Sequence, residues 1–229
     1  MVAETENTKW RILDIFVVLG IYAAAMTVFY GIATAIFGTD VLDNQNSLPW
    51  LSLLGGLVEC GIFVFLPVLV VTQRYNANVK DIGLEPVVSP RALWIGLFIG
   101  VALWAAGSLM NYGVESVFGP APVHPDLARL RASGDAIDYL VLLFPLLVLT
   151  PIAEEVYTRG FVYTILRKRY GVVTAAVASS LLFSAFHLSP WYFFQIFVVG
   201  LGLAWLREKY QSVAPAIVAH AVINLLVAL

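Results

Sequence analysis

Apolar residues fall in seven stretches separated by short polar breaks: 12–37, 50–71, 91–112, 138–166, 171–188, 190–206 and 212–229. A helix needs about 20 mostly apolar residues to cross the hydrocarbon layer. The first four stretches have that length. The last three are shorter, but Leu188-Ser189-Pro190 and Arg207-Glu208-Lys209-Tyr210-Gln211 divide them clearly. The pattern predicts an all-α fold, a polytopic transmembrane helical bundle of about seven spans, forming a single transmembrane domain over residues 1–229. No internal repeat or low-complexity tract interrupts it. The segment 72–90 reads as one connection and 113–137 as another, the latter with a short helix from Asp126.

Composition agrees with the pattern. The chain is 60% hydrophobic and 12% charged, where a soluble domain carries about a quarter charged residues. Placing the N-terminus in the cytoplasm puts Lys9, Arg11, Arg74, Lys80, Arg91, Arg167, Lys168, Arg169, Arg207 and Lys209 on that side and only Arg129 and Arg131 outside. That asymmetry orients the bundle with its C-terminus outside, as expected in a bacterial inner (cell) membrane. The basic residues form short juxtamembrane clusters, which exclude nucleic acid as a partner and leave the lipid bilayer. The first stretch is too long for a signal peptide and reads as a retained span. The lone Cys60 forms no intrachain disulfide and reads as a small core residue. Trp10, Trp50, Trp191 and Tyr192 fall at span ends, where aromatic side chains anchor at the interface.

Against this background the run Pro151-Ile152-Ala153-Glu154-Glu155-Val156-Tyr157-Thr158-Arg159-Gly160 stands out, because it sets three ionisable groups inside a span. Such groups are costly in lipid and mark function. Glu155 and Arg159, four apart, share a helical face and can pair. Glu154 points about 100° away and is left for another partner. Pro145 and Pro151 each delete a backbone hydrogen bond just before it. Phe183-x-x-x-His187 ends the fifth stretch, and His220-x-x-x-Asn224 lies in the last, with imidazole and carboxamide on one face. Counted at about 1.5 Å per residue, Glu154, His187, His220 and Asn224 all lie near mid-membrane. Three helices thus carry chemically competent groups at matching depth. Glu59 in the second stretch lines a substrate entrance or makes a helix contact, and His124 reads as a solvated loop residue.

In order and spacing, Glu154-Glu155-x-x-x-Arg159, Phe183-x-x-x-His187 and His220-x-x-x-Asn224 resemble the three motifs of the CPBP family, the CAAX-protease and bacteriocin-processing (Abi) intramembrane proteins. The resemblance covers about residues 138–228, which it marks as the catalytic core; the spans within 1–112 carry no comparable motif. It implies a glutamate-type intramembrane endopeptidase, without metal or other cofactor, acting on a peptide or protein in or at the membrane. Glu154 would be the general base, His187 would hold the attacking water, and His220 and Asn224 would bind the oxyanion. Glu155 and Arg159 would support the site, with Phe183 as a substrate or packing residue. The chemistry is coherent on its own terms, since amide hydrolysis needs a base, oxyanion donors and an acid for the leaving amine. Two alternatives stay open: a zinc-dependent membrane protease using Glu154, Glu155, His187 and His220 as ligands, and a non-catalytic immunity or scaffold protein. A proton-coupled transporter is disfavoured by the absence of broken-helix repeats.

Overall fold

The computed structural model describes residues 10–39, 49–85, 89–123 and 125–229. Lys9 and His124 lie outside the described residues, within which every element is helical. Helix α1 is Ile12–Phe37; α2, Pro49–Leu69, runs on through a π-helical turn, Val70–Arg74; α3 is Pro90–Phe118 and the short α4 is Pro125–Ala132. Next come α5, Ala136–Phe144, a π-helical segment Pro145–Leu149, α6, Thr150–Glu155, and a second π-helical segment Val156–Val162. The chain closes with α7, Tyr163–Phe186, α8, Phe193–Tyr210, and α9, Ala214–Ala228.

Among the described residues, four helical runs are long and apolar enough to cross a membrane: Ile12–Phe37, Pro49–Arg74, Pro90–Phe118 and Ala136–Phe186. The protein is an all-helical integral membrane protein, and its apolar helical segments agree with about seven spans. The fourth run joins two predicted stretches because Arg167-Lys168-Arg169 stay helical, as good helix formers do. Gly171, with φ 82° and ψ 176°, then breaks the helix inside α7. That conformation is open to glycine and strained for other residues. One residue replaces the polar connection expected there.

Close backbone approach determines where α9 sits. A methyl group built on Gly96 would lie 2.4 Å from the Pro215 carbonyl oxygen, and one on Gly100 would lie 2.6 Å from that of Ala219. This pair, four residues apart on α3, is the small-xxx-small pattern by which membrane helices bring their backbones together. It holds α9 in place beside His220. On the other side, Gly56 of α2 faces Pro145 and Leu149, and Phe63 stacks on Tyr157 at 4.5 Å. Tyr157, wholly buried, also donates its hydroxyl to the Ile15 carbonyl at 2.8 Å. The helices flanking the acidic run are therefore registered against both α1 and α2.

The connection after α2 is no slack loop. Asn78 caps a short 3-10 turn, Val79–Ile82, reciprocally with Asp81. Ile82 is fully buried, Val213 donates its N–H to the Gly83 carbonyl at 3.0 Å, and Arg207 reaches the Asp81 carbonyl at 3.3 Å. Gly83 has φ +79°, and a side chain there would collide with the Arg207 guanidinium. At the same end, buried Asp14 pairs with Arg74 at 2.8 Å and accepts from the Tyr75 hydroxyl at 2.6 Å.

The aromatic residues at span ends behave differently from one another. Trp50 is 40% exposed, as an interfacial anchor would be. Trp10 is not an anchor of that kind: it is buried against Tyr75 with the Lys168 ammonium over its ring at 4.4 Å. Trp191 and Tyr192 donate to the carbonyls of Gly119 and Pro122. Replacing Gly100 by leucine should push α3 off α9, costing about 1–3 kcal/mol or more. Thermal unfolding in detergent should show a lower midpoint than for Leu93→Ile on the same helix; an unchanged midpoint would contradict the close packing.

Candidate active site

Glu155 sits at the last position of α6, where the helix widens into the π-helical segment Val156–Val162. Single π turns inside α-helices recur at functional sites, since they re-aim side chains without ending the helix. Here the whole segment is buried. Arg159 Nη1 lies 3.2 Å from Glu155 Oε1, and both side chains are fully buried. The guanidinium also donates to Thr158 Oγ1 and, through Nη2, to the Gly200 carbonyl at 3.2 Å. Its carbon lies 4.2 Å from the centre of the Phe183 ring. Gly200 is required for this: a methyl group there would meet Ser180 at 2.9 Å and Arg159 at 3.2 Å. The paired charges are thus met by hydrogen bonds, an aromatic face and a backbone carbonyl, while Arg159 Nε and Glu155 Oε2 are left without hydrogen-bond partners.

Two carboxylates, not one, face His220. Its Nδ1 is 3.0 Å from Glu155 Oε1, and its Nε2 is 3.8 Å from Glu154 Oε2. Glu155 is consequently shared between Arg159 and His220, where the sequence suggested a purely local pair. A carboxylate only accepts, so the His220 proton on Nδ1 points at Glu155. Neutral His220 then carries a lone pair on Nε2 towards Glu154. Either Glu154 or His220 must hold a further proton for these two groups to attract. Glu154 is about one-fifth exposed, and its buried Oε2 has no hydrogen-bond partner. Glu155 Oε2 also lacks a hydrogen-bond partner, but Glu155 is fully buried, so Glu154 is the partly accessible carboxylate of the two.

The other motif residues sit close by but are turned differently. His187 is exposed; its Nδ1 lies 2.8 Å from the Phe183 carbonyl, which accepts the proton and leaves Nε2 as the basic nitrogen. Asn224 already has a partner of its own. Its Nδ2 donates to the Leu146 carbonyl at 2.9 Å. Proline explains the vacancy it fills. In the π-helical register Leu146 should accept from residue 151, which is Pro151 and has no N–H, while the Thr150 N–H goes to Pro145. One amide hydrogen of Asn224 satisfies that carbonyl and the second is left for other work. Phe183, 3% exposed, is a packing residue and the hub of the cluster. Its ring meets those of His187 at 4.9 Å and His220 at 5.8 Å, besides Arg159.

Glu59 accepts from the Tyr22 hydroxyl at 3.4 Å, and the Tyr22 ring packs tilted against Phe63 at 4.4 Å. Tyr22 lies within electrostatic range of both Glu59 and Glu154. Sequence reading missed Tyr22, for an aromatic residue within an apolar stretch gives no signal of its own. As for metal, among the described residues no three His, Cys, Asp or Glu side chains form a group that could hold an ion. His187 is turned to the Phe183 carbonyl, and His220 is already bonded to Glu155. The donor set of the zinc alternative is not assembled by these contacts.

With this geometry established, residues 136–226 match a family model described as Rce1-like, type II CAAX prenyl endopeptidase Rce1-like. The match runs from α5 to within α9 and contains all three motifs. It supports a CAAX protease-type hydrolase of the membrane. No curated protein and no solved structure matches the chain.

Substituting glutamine for Glu155 keeps the shape of the side chain but leaves Arg159 without its counter-charge. Breaking a buried pair in this way costs about 3–5 kcal/mol. A Tm lower than that of the unsubstituted protein is expected for Glu155→Gln, and much of the loss should be recovered when Arg159→Met is added, since the double change leaves no lone buried charge. Additive losses would show that the pair is not coupled.

Proposed function

We propose that the protein is a glutamate-type intramembrane endopeptidase that cleaves a peptide bond of a membrane-associated protein or peptide, using water activated by side chains and no metal. The observation that carries this reading is the unpartnered Oε2 of Glu154, held 3.8 Å from His220 at the edge of a fully buried ion-pair cluster. Glu154 removes a proton from water, and the resulting hydroxide adds to the substrate carbonyl. The tetrahedral intermediate then expels the amine, which receives the proton Glu154 took up. Basic Nε2 of exposed His187 orients the water. The oxyanion is met by the second amide hydrogen of Asn224 and by His220, which donates from Nε2 only as an imidazolium. Glu155 steadies that positive charge, and Arg159 fixes Glu155.

The family match to 136–226 and the clustering of the three motifs around Phe183 support a catalytic core there, within one transmembrane domain. The lysine and arginine distribution supports a cytoplasmic N-terminus, an outer C-terminus and a bacterial inner (cell) membrane. Pairing of Arg74 with Asp14 and of Arg207 with the Asp81 carbonyl fits that orientation, because it gathers residues assigned to one side.

Comparing the membrane proteomes of a deletion strain and a strain carrying Glu154→Gln tests the reading and finds the substrate: the same uncut peptides should accumulate in both. In purified protein, that substitution should lower cleavage by about 10²–10⁴-fold, the usual contribution of general-base catalysis. Asn224→Ala should lower it about 10²–10³-fold, as loss of an oxyanion donor does. Full activity of Glu154→Gln would overturn the proposal. Cleavage should also persist in excess chelator; loss in chelator with recovery in zinc would instead establish the metalloprotease.

A further inference from the structure

Counted from the charged end of the bundle, the candidate site lies well past the middle. Arg167, paired with Glu208 at 2.7 Å, marks that end together with Lys168 and Arg169. At a rise of about 1.5 Å per residue, Glu154 lies about 20 Å from Arg167. By the same rise His187 is about 24 Å beyond the break at Gly171, and Glu59 is about 22 Å before Arg74. Basic side chains hold that end at the interface. In a hydrocarbon layer about 30 Å thick, the polar groups therefore sit nearer the opposite face.

The charged end is closed by packing. Ile82, Phe161, Val162, Ile165, Leu203 and Leu206 are wholly inaccessible and fill the levels between Arg167 and the ion pair. The turn Val79–Ile82 lies against this layer: a methyl group on Gly160 would be 3.0 Å from the Ile82 carbonyl oxygen. Val213, just before α9, donates to the Gly83 carbonyl at 3.0 Å. A peptide entering from that end would have to displace the whole layer.

The other end is open. Glu154 is partly accessible and His187 is exposed; the next residue, Leu188, is 89% exposed with φ 49°. The chain has left helical geometry there, about 6 Å short of the opposite edge of the hydrocarbon by the count above. Irregular backbone at membrane depth persists only where it is buried in protein or borders water. Leu188 is not buried, so the turn 187–192 borders water. Trp191 and Tyr192 fasten that turn to the Gly119 and Pro122 carbonyls just after α3, the helix that carries the chain across from Arg91.

We propose that the cleft holding Glu154 and His187 opens to the membrane face opposite the Arg167 end, the outer face in the orientation given above. This rests on the protease reading for what enters and on the packing alone for where it enters. The substrate is then a polypeptide presented from the outer face and cut close to that surface. The cytoplasmic tail of a membrane-attached protein would not reach the site.

The test is labelling of single cysteines in the full-length protein, carrying Cys60→Ala, in membrane vesicles of both orientations. The probe is a methanethiosulfonate with a fixed positive charge, which stays on its own side of the membrane and reacts only with a hydrated thiolate. Glu154→Cys and His187→Cys should each react about tenfold faster from the face opposite the one that labels Lys209→Cys. His187 is at an exposed position, so His187→Cys reports access even where Glu154→Cys fails to fold. Faster labelling of either from the Lys209→Cys face would overturn the proposal, and so would labelling of neither from any face. The readout is access and not hydrolysis. A protein labelled as expected that cleaves nothing would lose the protease reading and keep the opening.

Discussion

A charged pair placed inside apolar protein must be compensated by the groups packed around it, and this requirement shapes the second half of the chain. Arg159 and Glu155 are wholly inaccessible. Their surroundings are supplied by three other helices: the Gly200 carbonyl from α8, the Phe183 ring from α7 and His220 from α9. Each contact limits how far its helix can slide. The glycine at 200 exists so that α8 can come close enough for its carbonyl to be used, and the glycines of α3 hold α9 where its imidazole reaches the carboxylate. Packing and electrostatics here are one constraint seen from two sides.

The irregular parts of the fourth long helical run follow from the same need. A straight α-helix through residues 136–186 would satisfy its own backbone and offer nothing to its neighbours. Two π-helical segments instead bracket the acidic run. The first, opened by Pro145, leaves the Leu146 carbonyl without an internal donor because Pro151 has no N–H, and α9 fills the gap through Asn224. The second carries Arg159 into the core. Local irregularity of the backbone is tolerated at membrane depth only where it is buried in protein or lines a water-filled cavity.

Much of this was legible in the sequence. Stretch 12–37 coincides with α1, and the break at 171 fell where a glycine followed three basic residues. The four-residue spacing of Glu155 and Arg159 forecast their pairing. Side-chain patterns forecast less about Asn224, because its partner is a backbone carbonyl whose availability depends on a proline five residues further on. Trp10 looked like an interfacial anchor from its position alone, yet the Asp14–Arg74–Tyr75 cluster draws it inward. Ile82 sat in a segment too polar to suggest a core residue, and only the capped turn explains its burial. Sequence periodicity reports which face of an element is apolar; it does not report which backbone groups are left unsatisfied.

Phe183 has a consequence for how substitutions in this region combine. One ring touches His187, His220 and Arg159, residues from three places in the sequence. Residues that share a contact are energetically coupled, and their effects do not add. A change at His187 shifts the ring, the ring shifts the guanidinium, and the guanidinium shifts the carboxylate that orients His220. The loss measured for any one of these side chains therefore belongs to the group, and only paired substitutions can divide it among its members.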